Sequence, residues 1–217
     1  MLSQPSGVES IFTNLDRDAV TKYQNYWKGL TVDTNADYFR RWLFAFMSVH
    51  TTWESNVSGY RAIANFTQWL GDDDDLLQRL KAGRAGLYNM RRKFISRFAE
   101  DFWSNPAAFH RGTTEPWWVF RDRLCKRVLG LGPAKTSFAL EMAFPLEAQV
   151  ACLDVHMLRL YGDEKAGAKR PVYNRFEIDW IDRCRSADVE PYVARMVYWD
   201  KLQGRTDSRY WSECLEG

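Results

Sequence analysis

Histidine and proline are sparse in this chain, at three and seven among 217 residues, and charge imbalance is almost absent, with a formal net charge of +2. No apolar run is long enough to span a bilayer, and the opening MLSQPSGVES lacks the basic-plus-apolar pattern of a secretory signal. A protein without membrane association, soluble and intracellular (cytoplasmic, or nuclear in a eukaryote), is expected. The four cysteines, Cys125, Cys152, Cys184 and Cys214, are far apart and form no C-x-x-C pair. That spacing excludes zinc-ribbon and iron–sulfur ligand runs and suits free thiols in a reducing compartment. Strand-like alternation is scarce too, and no internal repeat or low-complexity segment interrupts the chain.

What is present is a packable interior, with 46% apolar residues and ten tryptophans. Most of the tryptophans are expected in the core, and one or two could wedge into or stack on a nucleic acid. The charges are unevenly placed. Between Arg79 and Lys135 stand thirteen basic residues, Arg91 and Arg92 among them, against four acidic ones. Such a segment could be an electrostatic footprint for phosphates or a set of solvated helix faces.

The periodicity is helical. Helices are expected near Asp16–Trp27, from about Ala36 through Met47, over Ser55–Gly71 and over residues 87–103, the last ended by Asn105–Pro106. Asp72–Asp75 suit a helix start, which competes with a metal-binding acidic cluster. Trp117–Leu129 leads to a glycine hairpin, Thr136–Phe144 is an apolar helix closed by Pro145, and Asp154 reads as the N-cap of Val155–Tyr161. Gly162–Pro171 reads as a loop. Helices near Asp179–Cys184 and Glu190–Gln203 finish an all-α chain.

The densest signal is LGLGPAKTSFALEMAFPLEAQVACLDVHMLRL, residues 129–160. Gly130 and Gly132 allow a tight turn between two helices. The backbone of Gly130, Leu131, Gly132, Ala134 and Thr136 could then offer N–H groups to a phosphate at the start of the second helix. Lys135 could be a nucleophile if desolvated, or a surface lysine on phosphate. Asp154 could stabilise positive charge on a sugar, or be a plain cap. His156 could donate to a phosphate or be a satisfied structural histidine.

Three of these stretches together resemble the helix-hairpin-helix DNA glycosylases, the superfamily of endonuclease III and 8-oxoguanine glycosylase. LGLGPAKTSFAL is similar to the family hairpin, with Lys135 near its Schiff-base lysine. LDVHMLRL is similar to the catalytic-aspartate segment, with Asp154 in that place and His156 where some members touch DNA. GLYNMRRKFI, residues 86–95, resembles an endonuclease III helix. LFAFMSVHTTW, residues 43–53, resembles the early helix that lines the base pocket and makes Ser48, His50, Thr51 and Trp53 pocket candidates. The family commonly writes G-x-G-x-K, whereas here Pro133 and Ala134 separate Gly132 from Lys135. The stretch after Gly162 matches no family motif.

The resemblance implies a two-lobed all-helical fold with a central cleft in one unit spanning 1–217. A six-helix-type lobe would cover about 38–128 and the hairpin with its aspartate segment about 129–161. Residues 1–37 and 162–217 would pack together as the second lobe. It further implies a monomer that flips a modified base out of double-stranded DNA and cuts its N-glycosidic bond, with Lys135 supporting strand cleavage. No side-chain metal site or organic cofactor is expected; the resemblance leaves room for a monovalent cation at the hairpin carbonyls. Two other readings stay open. One is a transferase of the same fold that adds an amino acid or amine to an activated thymine derivative in viral DNA. The other is a helix-hairpin-helix module that only grips the DNA backbone.

Overall fold

The computed structural model describes residues 7–165, 167 and 169–204. Among these, all regular structure is helical, as the periodicity predicts. The helices are α1 (Gly7–Thr13), α2 (Arg17–Lys28), α3 (Asn35–Met47), α4 (Trp53–Ile63), α5 (Asp73–Ala82), α6 (Tyr88–Ser104), α7 (Trp117–Arg127), α8 (Pro133–Ala143), α9 (Val155–Leu160), α10 (Arg170–Ser186) and α11 (Pro191–Gln203). No helix among the described residues is long and apolar enough to cross a membrane. Cys125, Cys152 and Cys184 are free thiols, and Cys214 lies outside the described residues.

The chain divides into two compact units. Among the described residues, one is Val32–Ala139; the other joins residues 7–31 with residues 140–204. The division falls inside α8.

The Val32–Ala139 unit is built on aromatic packing between α3 and α6. Phe39 stacks on Phe98 with centroids 5.3 Å apart and meets Phe66, Phe102 and Trp103 at 5.0 to 5.4 Å. Aromatic pairs at this spacing add to the area they bury. The expected helix over Ser55–Gly71 is shorter than its pattern. It stops at Ile63, and Phe66–Gln68 forms a 3-10 turn. Trp69 causes the break: its indole N–H turns back to donate to the Ile63 carbonyl at 2.8 Å, satisfying a C-terminal acceptor and burying the ring. The aspartate run is a helix start. The Asp72 carboxylate accepts from the N–H groups of Asp74 and Asp75 at 3.0 and 2.9 Å.

In the other unit, Trp27 of α2 packs on Tyr192 of α11 at 5.5 Å, and the Tyr23 hydroxyl donates to Asp200 at 2.6 Å. Phe12 of α1 lies 5.1 Å from Trp180 of α10. Two helices depart from the sequence expectation. α1 carries too short a pattern to announce itself. α10 begins at Arg170 rather than near Asp179, with Pro171 in its first turn. Proline there loses no intrahelical bond, so it opened the helix rather than closing a loop.

Phe39→Ala is expected to lower unfolding free energy by about 3–5 kcal/mol, read as a shift of the urea midpoint with an unchanged slope.

Candidate functional site

The hairpin lies wholly in the Val32–Ala139 unit. α7 ends with the Val128 N–H donating to the Leu124 carbonyl at 2.7 Å. Gly130 turns the chain at φ +88°, and a Cβ there would come within 2.4 Å of the Phe94 ring. Both the angle and the close approach require glycine. Gly132 has open space around it. α8 begins at Pro133, three residues earlier than expected, and its first intrahelical bond runs from Thr136 N–H to Gly132 C=O at 2.9 Å. The N–H groups of Ala134 and Lys135 therefore precede that bond and stand at the helix end suited to a phosphate. Thr136 differs from expectation: its N–H is spent inside α8 and its side chain is buried.

The Pro-Ala spacer places Lys135 third in the helix. Its ammonium lies 5.4 Å from the Phe138 ring centroid. Phe138 lies 6.1 Å from Phe44, and Phe44 lies 6.0 Å from Trp53. A line of rings thus connects the lysine to one expected pocket residue. Ser48 closes α3 and donates to the Ala45 carbonyl at 2.7 Å. His50 is exposed at φ +47°, and Thr51 is half-buried beside it.

Asp154 lies in the other unit. It is half-buried and caps α9: Oδ1 accepts from the N–H groups of His156 and Met157 at 3.0 and 3.1 Å. Among the described residues Oδ2 has no hydrogen-bond partner, so the cap commits only one of the two carboxylate oxygens. The His156 ring lies edge-on to Trp199 at 5.0 Å. The three residues before Asp154 are buried and belong to no helix. Ala151 N–H donates to Glu177 at 3.0 Å, Cys152 N–H to Glu141 at 3.0 Å, and Leu153 N–H to the Tyr173 hydroxyl at 3.4 Å. Glu141 is buried against Arg195, with 2.6 Å between Nη2 and Oε2. Burial outweighs the pull of the guanidinium and raises the Glu141 carboxyl. Arg195 is lowered by its own burial, but the carboxylate outweighs that and raises it, so it stays charged.

No family model matches the chain, and no curated protein matches it by sequence. Solved structures do match. The Methanocaldococcus jannaschii 8-oxoguanine DNA glycosylase is 17% identical, with a TM-score of 0.68 over 91% of this chain and 94% of its own. The 8-oxoguanine DNA glycosylase of Thermotoga maritima is also 17% identical, with a TM-score of 0.75 over 93% of this chain and 100% of its own. The chain has a DNA glycosylase fold.

On that fold, Arg91 has a different task from the expected DNA contact. It is buried, and its guanidinium donates to the carbonyls of Gly86 at 2.8 Å, Met47 at 3.1 Å and Val49 at 2.5 Å. Those bonds tie the start of α6 to the chain leaving α3, which holds Ser48 and His50 in place. Arg92 is part-exposed and pairs with Asp73 at 3.3 Å. The basic stretch is also more neutralised than its composition implies. Arg79 pairs with Asp75, Arg123 with Glu115 and Arg127 with Asp101.

The sequence reading missed Leu87. It sits at φ +42° after Gly86 at +57°, with half of its surface exposed. A bulky residue at positive φ is strained, and such strain persists where surrounding structure fixes it; here Arg91 holds the preceding carbonyl. Gly86 was the available signal, read only as part of a motif.

Gly130→Ala is expected to cost about 1–3 kcal/mol and to lower the thermal midpoint, whereas Gly132→Ala should leave it unchanged. Equal midpoints for the two variants in differential scanning calorimetry would contradict the close approach to Phe94.

Proposed function

We propose that this chain is a DNA glycosylase that extrudes a modified base from duplex DNA and cleaves its N-glycosidic bond, with Lys135 adding AP-lyase chemistry. The observation that carries the reading is a pairing of two features. The fold matches two 8-oxoguanine DNA glycosylases along nearly its whole length, and Asp154 keeps one oxygen uncommitted at the head of α9.

In this reading the N–H groups of Ala134 and Lys135 hold a phosphate at the mouth of α8. The Asp154 carboxylate stabilises the positive charge that develops on the sugar as the glycosidic bond lengthens. Lys135, its ammonium proton first given up to solvent, adds its lone pair to C1′; the C1′–N bond breaks, and the base leaves with that electron pair and takes a proton. The aminal opens to an imine, and loss of a proton from C2′ expels the 3′ phosphate. Leu87, exposed and apolar, fills the stack that the base vacates. His156 donates to a phosphate beside the extruded nucleotide, and Arg92 adds charge along the backbone. Ser48, His50, Thr51 and Trp53 line the base pocket. Among the described residues the carbonyls of Leu129, Gly130 and Leu131 accept no hydrogen bond, which suits a monovalent cation that would supply charge beneath the phosphate.

Duplexes carrying a panel of modified bases, headed by 8-oxoguanine opposite cytosine, test the reading by mass spectrometry. Free base and abasic sites are expected. Asp154→Asn should slow release by about 100-fold or more. A heavier nucleoside with the glycosidic bond intact would instead establish the transferase, and intact DNA across the panel would leave only backbone binding. Borohydride should trap wild-type protein on the reactive duplex; trapping equal to that of Lys135→Ala would remove Lys135 as nucleophile.

A further inference from the structure

The short stretch that delivers Asp154 is gripped from two helices, with a third behind one of them. Cys152 N–H donates to Glu141 Oε1 of α8 at 3.0 Å. Ala151 N–H donates to Glu177 Oε1 of α10 at 3.0 Å, and the Tyr173 hydroxyl of α10 donates to the Ala151 carbonyl at 2.6 Å. Glu141 is in turn held by Arg195 of α11, with Nη2 2.6 Å from Oε2 and Nε 3.3 Å from Oε1. The Glu141, Glu177, Tyr173 and Arg195 side chains are all buried.

We propose that Glu141, anchored by Arg195, is a positioning residue for Asp154: its Oε1 fixes the Cys152 peptide and thereby aims Asp154 Oδ2. The inference rests on the reading of Asp154 above. The linkage is short. Asp154 N–H donates to the Cys152 carbonyl at 3.0 Å, so Cys152 is held through its N–H by Glu141 and through its C=O by Asp154. At the other end Oδ1 is pinned to two amides of α9. With the main chain and one carboxylate oxygen both fixed, the direction of Oδ2 follows. Packing alone does not call for this arrangement, because an apolar pair of similar volume often fills a buried site as well as an ion pair does. What the pair adds is a charge-assisted two-point hold on the carboxylate, which leaves Oε1 directed at Cys152.

Two double variants separate aiming from bulk stability. Glu141→Leu with Arg195→Met removes the acceptor without stranding a charge. Glu141→Gln with Arg195→Met keeps an acceptor for Cys152. Both are measured for thermal unfolding, duplex affinity, single-turnover base release and the 13C shift of the Asp154 carboxyl at pH 7. The leucine pair is expected to bind duplex as wild type does, to lose about 10- to 100-fold in release, and to move the Asp154 carboxyl signal. The glutamine pair should regain most of both. In an Asp154→Asn background the leucine pair should cost nothing further. Tyr173→Phe keeps its ring and serves if the leucine pair fails to fold; it should move the same signal in the same direction. An Asp154 signal and release rate identical to wild type in the leucine pair, or in Tyr173→Phe if that pair does not fold, would overturn the proposal. Should Asp154→Asn itself release base at the wild-type rate, the catalytic reading fails, while the carboxyl signal still decides whether Glu141 sets Asp154.

Discussion

Backbone that leaves a helix without reaching water must find partners for its peptide groups, and in each unit buried side chains supply them. Arg91 serves the carbonyls of Met47 and Val49 where α3 ends, and that of Gly86 where α6 begins. Glu141, Glu177 and Tyr173 serve the amides of Ala151, Cys152 and Leu153 ahead of Asp154. Each irregular stretch carries candidate site residues. A helix could not present them this way, because its own hydrogen bonds dictate where each side chain points. Irregular backbone removes that restriction and transfers the cost to a few polar groups inside the core.

That cost explains the density of aromatic packing elsewhere. A buried ion pair such as Glu141–Arg195 contributes little net stability, because desolvation offsets most of the attraction. Stability must come from area, and the rings on α3 and α6 provide it in the Val32–Ala139 unit. In the other unit, Trp27, Trp180 and Tyr192 do the same. Polar groups near the site can then be chosen for geometry. Glu141 and Arg91 share this property: each removes an alternative arrangement of the chain rather than adding to the core.

Much of the helical order was legible because helical periodicity and capping chemistry are local. Asp72 and Asp154 each cap as their positions imply, since a carboxylate just before a helix can reach only its own next turn. The failures have equally definite causes. The end of α4 depends on the Trp69 indole folding back six residues, which no periodicity records. Arg91 reads as a cation for phosphate in a basic run, but its burial follows from carbonyls more than forty positions earlier in the chain. Leu87 is an ordinary leucine by pattern; only its backbone angle and exposure distinguish it.

The sequence by itself determined the all-helical class, a glycine turn between two helices at 130–132, and Asp154 as a helix cap, because each depends on interactions within a few residues. Only the tertiary structure decided which arginines are spent inside the protein, which oxygen of Asp154 is committed to its cap, and that Glu141 and Arg195 stand behind it. Those outcomes depend on partners as much as 54 residues apart in the chain, where packing, not local preference, brings the groups together.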